Sequence, residues 1–431
     1  MSGAVAAHAA YNGSGTQGLA VTNKIHDDDG DVMSVFWNKN DTTRQLLYGS
    51  SIIEIPASGS GGNLTAGGNQ IFTVNNDIDA LGDLYLQIST SGVTNVTGFA
   101  AFQLLSCIKR IEFMVGTQVW ETLEANDISA LNMTEMSEDA FESFFLAMSG
   151  GFSSTGTRNT VNISSSAVST DLTSDIAGVI RVPALSRSVG PKFAKFTDIS
   201  ENSYLLAGAP HQTVKIRVYM ASPLPTGITN LNLKLFGQCI VMCNEEREQI
   251  KAMPMGLPKR LKMSQNTSTT VSPSGSLSSG IKIEPCKLDL DHFSLYASHI
   301  VLVVSTTGAA ITNSSIKDVE LKLNSSSFSG ILEGGLLTGS AADALGLYSN
   351  SVIMGTANFA DNYYVFPLAS QAYGGSSVPL NRFDNIRLDL NIVLSGSGST
   401  SLSGTTYTVS ATCVGETTAL YKGGAASLAM Y

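Results

Sequence analysis

Apolar residues fall at every second position in two stretches that read almost alike. Residues 108–120 are IKRIEFMVGTQVW and residues 316–328 are IKDVELKLNSSSF. Ile108/Ile316, Lys109/Lys317, Ile111/Val319, Glu112/Glu320, Phe113/Leu321, Val115/Leu323 and Trp120/Phe328 keep their character at equal offsets. A period of two buries one face of a β-strand and wets the other, and Gly116 or Asn324 supplies a turn after each copy. Two further echoes follow in the same order: RVPALS (181–186) with VFPLAS (365–370), and TVKIRVYM (213–220) with NIRLDLNI (385–392). The separation between copies shrinks along the chain, as shorter loops in the second copy would produce. Three echoes in register predict a duplicated β domain.

The same reading predicts strands in Ser34–Ile55 (with Phe36, Trp37 and Ile52 to Ile55), at 84–89, near Ile281–Ile283, and over His299–Val304. Phe383–Val393 is the clearest alternation, and Tyr407–Val414 is expected to be the last strand. A helix is predicted after Ser137, with Glu138 and Asp139 in its first turn and Phe141, Phe144, Phe145 and Met148 along one stripe. Gly150-Gly151 stops it, and the stripe is expected to pack on the chain's own sheet. A shorter helix starts at Asn126 with Ile128 and Leu131, and a small counterpart covers Ala341–Leu347. Between the halves, Asn244 caps a helix whose acids, Glu245, Glu246 and Glu248, favour its positive end, and Pro254 ends it. The Asn/Ser/Thr/Pro-rich run 264–280 is expected as a loop, and the small residues of 1–25 as a patternless arm.

Length agrees with two domains, because 431 residues exceed one comfortable core. Charged residues make up 14% of the chain, against roughly 25% in an ordinary soluble domain. Hydroxyls and amides must therefore carry solubility. That suits short strands, many turns and a surface covered by other copies, although a low-charge secreted β protein would share it. A net charge of −10 offers no general attraction to a phosphate backbone. The densest basic cluster, Lys259, Arg260 and Lys262, is expected as a solvated segment after the linker. Cys107, Cys239, Cys243, Cys286 and Cys413 are odd in number and scattered, so they are expected as reduced, buried thiols. The start has neither the basic region nor the apolar run of a signal peptide, and no segment reaches the ~20 apolar residues of a membrane span. A soluble, unprocessed chain is expected.

Candidate chemistry is sparse. Asp27 to Asp31 could begin a calcium loop, but Val32 and Asn38 stand where an EF-hand needs Gly and Glu; an acidic turn fits better. None of His8, His26, His211, His292 and His299 has metal-ligand spacing to another. Asp291-His292 could orient a base, yet no serine sits in a nucleophile elbow. Asp289 and Asp291 could pair for glycoside chemistry, but alternation places both on the wet face of one strand. No phosphate-binding glycine loop is present. Sequons at Asn12, Asn40, Asn63, Asn95, Asn132, Asn162, Asn266, Asn313 and Asn324 follow from composition. No catalytic, cofactor-binding or metal residue is assigned, and no cofactor is expected.

The order of these segments resembles the double jelly-roll major capsid proteins of double-stranded DNA viruses, especially the nucleocytoplasmic type. Ile108–Trp120 resembles the family's (V/I)-E-(L/F)-x-(I/V)-G-G-Q strand, which likewise precedes a helical excursion. Arg181–Ser186 and His211–Met220 are similar to its "P-L" and "H-E-V-K-I" strands, and Asn244–Arg247 to its E-R segment. Most specific is Asn381 to Leu388, NRFDNIRL, which is similar to S-R-(I/F)-D-N-(I/A)-x-L; Gly423-Gly424 and Leu428 to Tyr431 are similar to the glycine-rich L-A-Y ending. The usual Tyr-Asn-Val-Leu-Arg before that ending is replaced by Glu416 to Tyr421. The resemblance implies an all-β fold of two fused eight-stranded jelly-roll sandwiches with short helical insertions in loops. It divides the chain into an arm (1–25), jelly roll 1 (26–243), a helical linker (244–258) and jelly roll 2 (259–431). It further implies a structural, non-enzymatic virion protein that forms pseudo-hexagonal homotrimers and then a lattice of trimers in an icosahedral shell assembled in the host cytoplasm. Minor capsid and penton proteins would be its partners, an inner membrane would be reached through other proteins, and nucleic acid would not be touched. A minor capsid protein, a β-sandwich glycan-binding or surface-layer protein, and a glycoside-active enzyme are the alternatives.

Overall fold

A computed structural model describes residues 48–58, 63–75, 77–93, 96–100, 104–152, 161–163, 168–172, 175–183, 204–242, 244, 247–248, 250, 257–307, 311, 313–347, 363–370, 377–396 and 398–429. The expected arm, the acidic turn at His26–Asp31, the stretch through Phe36 and Trp37, Ala184–Ser186, Cys243, Pro254, Met430 and Tyr431 lie outside them.

Alternation along the first half builds β1 (Tyr48–Ile55), β2 (Asn69–Thr73), β3 (Ala80–Ser91), β4 (Ile108–Val115), β5 (Gln118–Glu124), β6 (Ala177–Val182), β7 (Val214–Met220) and β8 (Asn230–Met242). The second half builds β9 (Leu257–Val271), β10 (Ile281–Asp289), β11 (Tyr296–Thr307), β12 (Asn313–Leu323), β13 (Ser326–Glu333), β14 (Tyr363–Pro367), β15 (Ile386–Ser395) and β16 (Thr406–Lys422). Hydrogen bonding orders them β1-β8-β3-β6 and β2-β7-β4-β5 in the first half, and β9-β16-β11-β14 and β10-β15-β12-β13 in the second. Adding eight to each label turns one pair of sheets into the other. The first and last strands of each half are neighbours, the jelly-roll arrangement that ties the ends of a sandwich together. The three sequence echoes fall in β4/β12, β6/β14 and β7/β15, so each joins topologically equivalent strands.

Alternation also decides the packing. In β7, Val214, Ile216, Val218 and Met220 are buried while Lys215, Arg217 and Tyr219 are partly exposed; β15 repeats this with Ile386, Leu388, Leu390, Ile392 and Leu394. Each fully buried side chain of this size contributes about 1.5–3 kcal/mol. The second core joins Leu302, Val319, Leu321, Phe366, Leu388 and Tyr407, drawn from both of its sheets. Two helices interrupt the first half between β5 and β6: α1 (Ala125–Glu135) and α2 (Glu138–Met148). The α2 stripe Phe141, Phe144, Phe145 and Met148 is buried in the first core, as expected. In the second half, α3 (Gly339–Ala344) is the smaller counterpart.

Several local expectations are corrected. The run 264–280 is a strand as far as Val271, paired residue by residue with β16. Thr267, Thr269, Thr270 and Val271 supply β-branched side chains, and the polarity that suggested a loop serves another surface, described below. Lys259, Arg260 and Lys262 all lie in this strand, and Lys262 is buried, so that member of the basic cluster is not solvated. β9 begins at Leu257, inside the stretch expected as linker, of which Asn244, Arg247, Glu248 and Ile250 are helical. Helix α1 starts at Ala125 under Glu124 rather than at Asn126, because Glu124 and Asp127 form a reciprocal capping box. Asp291 lies in the turn beyond β10, where its Oδ1 accepts the Ile386 N–H at 2.6 Å, so it does not share a strand with Asp289. Tyr407–Val414 belongs to β16 but is not the last strand, since Ala425–Ala429 folds back on β16.

That final hairpin needs its glycines. Gly423 and Gly424 have φ of 62° and 78°, the pair of positive values that a type I′ turn requires. A Cβ on Gly424 would also run into the His211 ring of the first half, whereas one on Gly423 meets nothing within 4 Å. Left-handed backbone costs a non-glycine residue roughly 1–2 kcal/mol. Gly424→Ala should therefore lower the urea midpoint by more than Gly423→Ala does; equal midpoints would remove the packing role given to Gly424.

Candidate assembly surfaces

The two sandwiches meet along a joint made by strand β5 and helix α1 of the first half against the outer face of β9-β16-β11-β14. Leu261, Met263, Val301, Val303, Tyr363, Val414, Ala419 and Tyr421 of the second half belong to the first half's hydrophobic core. At its centre Tyr204 packs against Trp120 at 5.6 Å and Tyr421 at 5.8 Å between ring centroids. The Tyr421 hydroxyl accepts the Leu205 N–H at 3.2 Å, and the Ala426 N–H donates to Gln212 Oε1 at 2.7 Å.

Hydrogen bonds fix the register of this joint. Glu121 Oε1 accepts from Ser264 N at 2.7 Å and Ser264 Oγ at 2.5 Å. Asp127 Oδ1 accepts from Thr412 Oγ1 at 2.6 Å, while its Oδ2 accepts from Glu124 N at 2.8 Å and from the Asn266 amide. Ser129 and Tyr363 share a 3.3 Å hydroxyl contact. Helix α1 is thus buried almost all round despite its Ser, Asn and Thr residues. In the linker, Arg247 clasps Asp79 through Nε and Nη2, at 2.7 and 2.8 Å, and the same carboxylate accepts the Met242 N–H at 2.7 Å. A bidentate pair of this kind fixes orientation as well as charge.

The outward faces of the other two sheets carry charge. In the first half, Glu112 meets Arg110 at 2.9 Å, Arg217 at 3.8 Å and the Tyr219 hydroxyl at 3.2 Å, with Arg110 stacked over the Tyr219 ring. In the second, Asp389 meets Lys322 at 2.7 Å and Arg387 at 2.8 Å, and Lys322 also reaches Glu320 at 3.3 Å. Arg217 and Asp389 stand at equivalent positions with opposite charge, since Arg217 pairs with Glu112 and Asp389 with Glu320.

The residues weighed for catalysis are not brought together. Asp291 is committed to the Ile386 amide, while His292 Nε2 lies 3.1 Å from the Asn266 carbonyl and its ring packs against Phe293. His299 is buried beside Ser298 Oγ, and His211 sits at the Gly424 turn, its N–H on the Gly424 carbonyl at 3.0 Å. Cys107, Cys239, Cys286 and Cys413 are buried thiols, and burial pushes Cys107 up to about 12 and Cys286 to about 11. Such thiols stay protonated and poorly nucleophilic. Among the described residues no group of three His, Cys, Asp or Glu side chains could hold a metal ion, and no helix is long and apolar enough to cross a membrane. Asn132 is fully buried in α1, which excludes it as a sugar acceptor in this fold. The groove lined by Val115, Gly116, Gln118, Gln212, Leu420 and Lys422 brings no acid–base pair together.

Neither a protein-family model nor a curated protein sequence matches the chain. Solved structures do. The capsid of the virus PBCV-1 superposes with a TM-score of 0.63 at 11% identity, over 90% of this chain and 98% of that one. The Faustovirus major capsid protein gives 0.57 at 7% identity, over 97% and 100%. A chain of the Sputnik virophage gives 0.50 at 11% identity, over 94% and 92%.

Burial raises the Asp127 carboxyl from 3.8 to about 6, against its three donors, which lower it. Between about pH 6 and 4 the folded chain therefore binds a proton that the unfolded chain does not, so this group adds stability as pH falls through that window. Asp127→Asn keeps both acceptor contacts on one oxygen and can donate to Thr412, but it cannot titrate. The wild-type unfolding free energy should rise by about 2–3 kcal/mol relative to Asp127→Asn between pH 7 and 4; parallel pH profiles would contradict it. With its sheets paired strand for strand, eight labels apart, this chain has the double jelly-roll fold of the major capsid proteins of double-stranded DNA viruses.

Proposed function

We propose that this chain is a capsid subunit, and specifically the major one, forming pseudo-hexagonal homotrimers that tile an icosahedral shell. The observation that supports the proposal is the near-complete coverage of both partners in each superposition, 90% with 98% and 97% with 100%, so that both sandwiches are matched together and not one alone. Two similar sandwiches in one chain let a threefold particle present six similar wedges, so one polypeptide can approximate hexagonal packing. The low charge supports extensive cover by like copies, and weak contacts suffice where a closed lattice multiplies them. In this reading the units are an arm (1–25), jelly roll 1 (26–243), a linker (244–258) whose last two residues already open β9, and jelly roll 2 (259–431). Minor capsid and penton proteins complete the shell, an inner membrane is met through them, and the acidic chain leaves nucleic acid alone. Its place is the virion, after assembly in the host cytoplasm, and its work is burial of surface without catalysis.

Light scattering and negative-stain imaging of the purified protein test this. The expected result is a particle of three times the 45.2 kDa chain mass with a six-lobed outline. A monomer at micromolar concentration that binds glycans would overturn it in favour of a sandwich lectin. Removal of residues 1–25 should leave the trimer intact and abolish shells, and normal shells from the truncated chain would refute the role given to the arm.

A further inference from the structure

The last strand of the chain, Ala425–Ala429 (β17), is paired on one side only. Its partner is β16, joined through the Gly423-Gly424 turn, and among the described residues no strand lies on its other side. In a two-residue hairpin the hydrogen-bonded pairs alternate with open ones. Lys422 with Ala425 and Leu420 with Ser427 therefore bond each other, while Ala426 and Leu428 turn their backbone groups outward. Gln212 Oε1 takes the first of these, the Ala426 N–H, at 2.7 Å. Among the described residues nothing bonds the Ala426 carbonyl or either backbone group of Leu428. Such a row is a template for one more strand.

A groove of about 460 Å³ runs beside this edge, with a wall from each half of the molecule. The first half gives Val115, Gly116 and Gln118, at the turn into β5, and the second gives Leu420, Ala425 and Ala426. Its side chains are mostly small or apolar, and Lys422 is the charged residue that lines it.

The first described residue lies a short run of contacts away. Tyr48 pairs with Met242, whose N–H donates to the Asp79 carboxylate at 2.7 Å, and the Asp79 carbonyl accepts the Ala207 N–H at 2.9 Å. Gly208 then packs so closely on Tyr421 that a Cβ there would lie 2.8 Å from the ring, and Tyr421 pairs with Ala426. Residues 26–47 can span up to about 70 Å when extended, more than enough to carry the arm back to the groove. The arm also matches it in chemistry. Gly3 to Ala10 reads GAVAAHAA, side chains small enough to lie against Ala425, Ala426 and Gly116. Asp27, Asp28, Asp29 and Asp31 follow, opposite in charge to Lys422.

We propose that residues 3–10 of the same chain lie in this groove as an added strand on β17, accepting from the Leu428 N–H and donating to the Ala426 and Leu428 carbonyls. Strand addition draws its affinity from main-chain bonds, and the tether keeps the arm at high local concentration. With one wall from each sandwich, the seated arm clamps the joint. The proposal goes beyond the capsid reading and does not depend on it, because edge, groove and arm belong to one chain.

Hydrogen–deuterium exchange resolved to single residues tests it on the full-length protein, a chain lacking residues 1–25, and full-length Ser427→Trp. The truncation removes no described residue, and Ser427 is exposed and lines the groove, so a tryptophan there fills the groove without entering a core. The Leu428 amide should exchange about tenfold or more slowly in the full-length protein than in the other two. The Ala426 amide, held by Gln212, should be equally protected in all three. Equal Leu428 exchange in full-length and truncated chains would overturn the proposal, as would slow exchange that survives Ser427→Trp. Isotope-labelled truncated chains mixed with unlabelled full-length ones separate the source of the arm. Leu428 should stay unprotected on the labelled chains, and protection there would overturn the same-chain assignment by showing that the arm crosses between copies. A monomer with a protected Leu428 would uphold this proposal and sink the capsid reading.

Discussion

A carboxylate shut away from water sets the geometry of this molecule. Asp127 is 2% exposed and accepts hydrogen bonds from its own helix cap and from two strands of the other sandwich. An isolated buried charge is costly, and only paired or well-donated ones persist. The three donors therefore have to arrive together, which fixes helix α1 against β9 and β16 at one register and one angle. Apolar burial around Tyr204 and Tyr421 supplies most of the attraction across the joint, but it tolerates sliding. Directional bonds at Asp127 and Glu121 do not. Arg247 on Asp79 then holds the linker in line with that arrangement.

Once the joint is rigid, duplication has a geometric consequence. The second half repeats the first strand for strand, and the joint consumes one face and one edge of a repeated set. Under the proposed role, this is how a single chain with internal twofold repetition fits a threefold particle with six lobes. The charged outward faces differ in sign at equivalent positions, Arg217 against Asp389, so the two halves are related in shape without being interchangeable in charge. Discrimination of that kind favours one order of halves around a ring over another.

Much of the sandwich was legible because its signal is local. Period-two burial in Val214–Met220 and Ile386–Ser395 can be read from side-chain chemistry alone, and the echo of Ile108–Val115 in the second half gave the duplication. The stripe on α2 was equally readable, since one face of an amphipathic helix announces its own burial. Polar burial was not. Ser264, Asn266 and Thr412 look like loop or surface residues until the partner that satisfies them is in place, and that partner lies more than a hundred residues away. The 264–271 stretch was read as a loop for this reason. Lys262 misled in the same way. Asp127 carried one visible hint, its position three residues after Glu124 at a helix start, but a capping acid is ordinarily solvent-facing. A Ser or Thr interrupting an otherwise apolar run, as Thr412 does within Tyr407–Val414, is the sequence trace that such a joint leaves.

The most direct test of this account is a density map of the assembled particle in which individual strands are separated. The account predicts that within every copy β5 and α1 lie on β9-β16-β11-β14, with Asp127 held between Thr412 and Asn266. A map in which the two sandwiches of a chain stand apart there, or slide past each other from copy to copy with Asp127 in solvent, would contradict it.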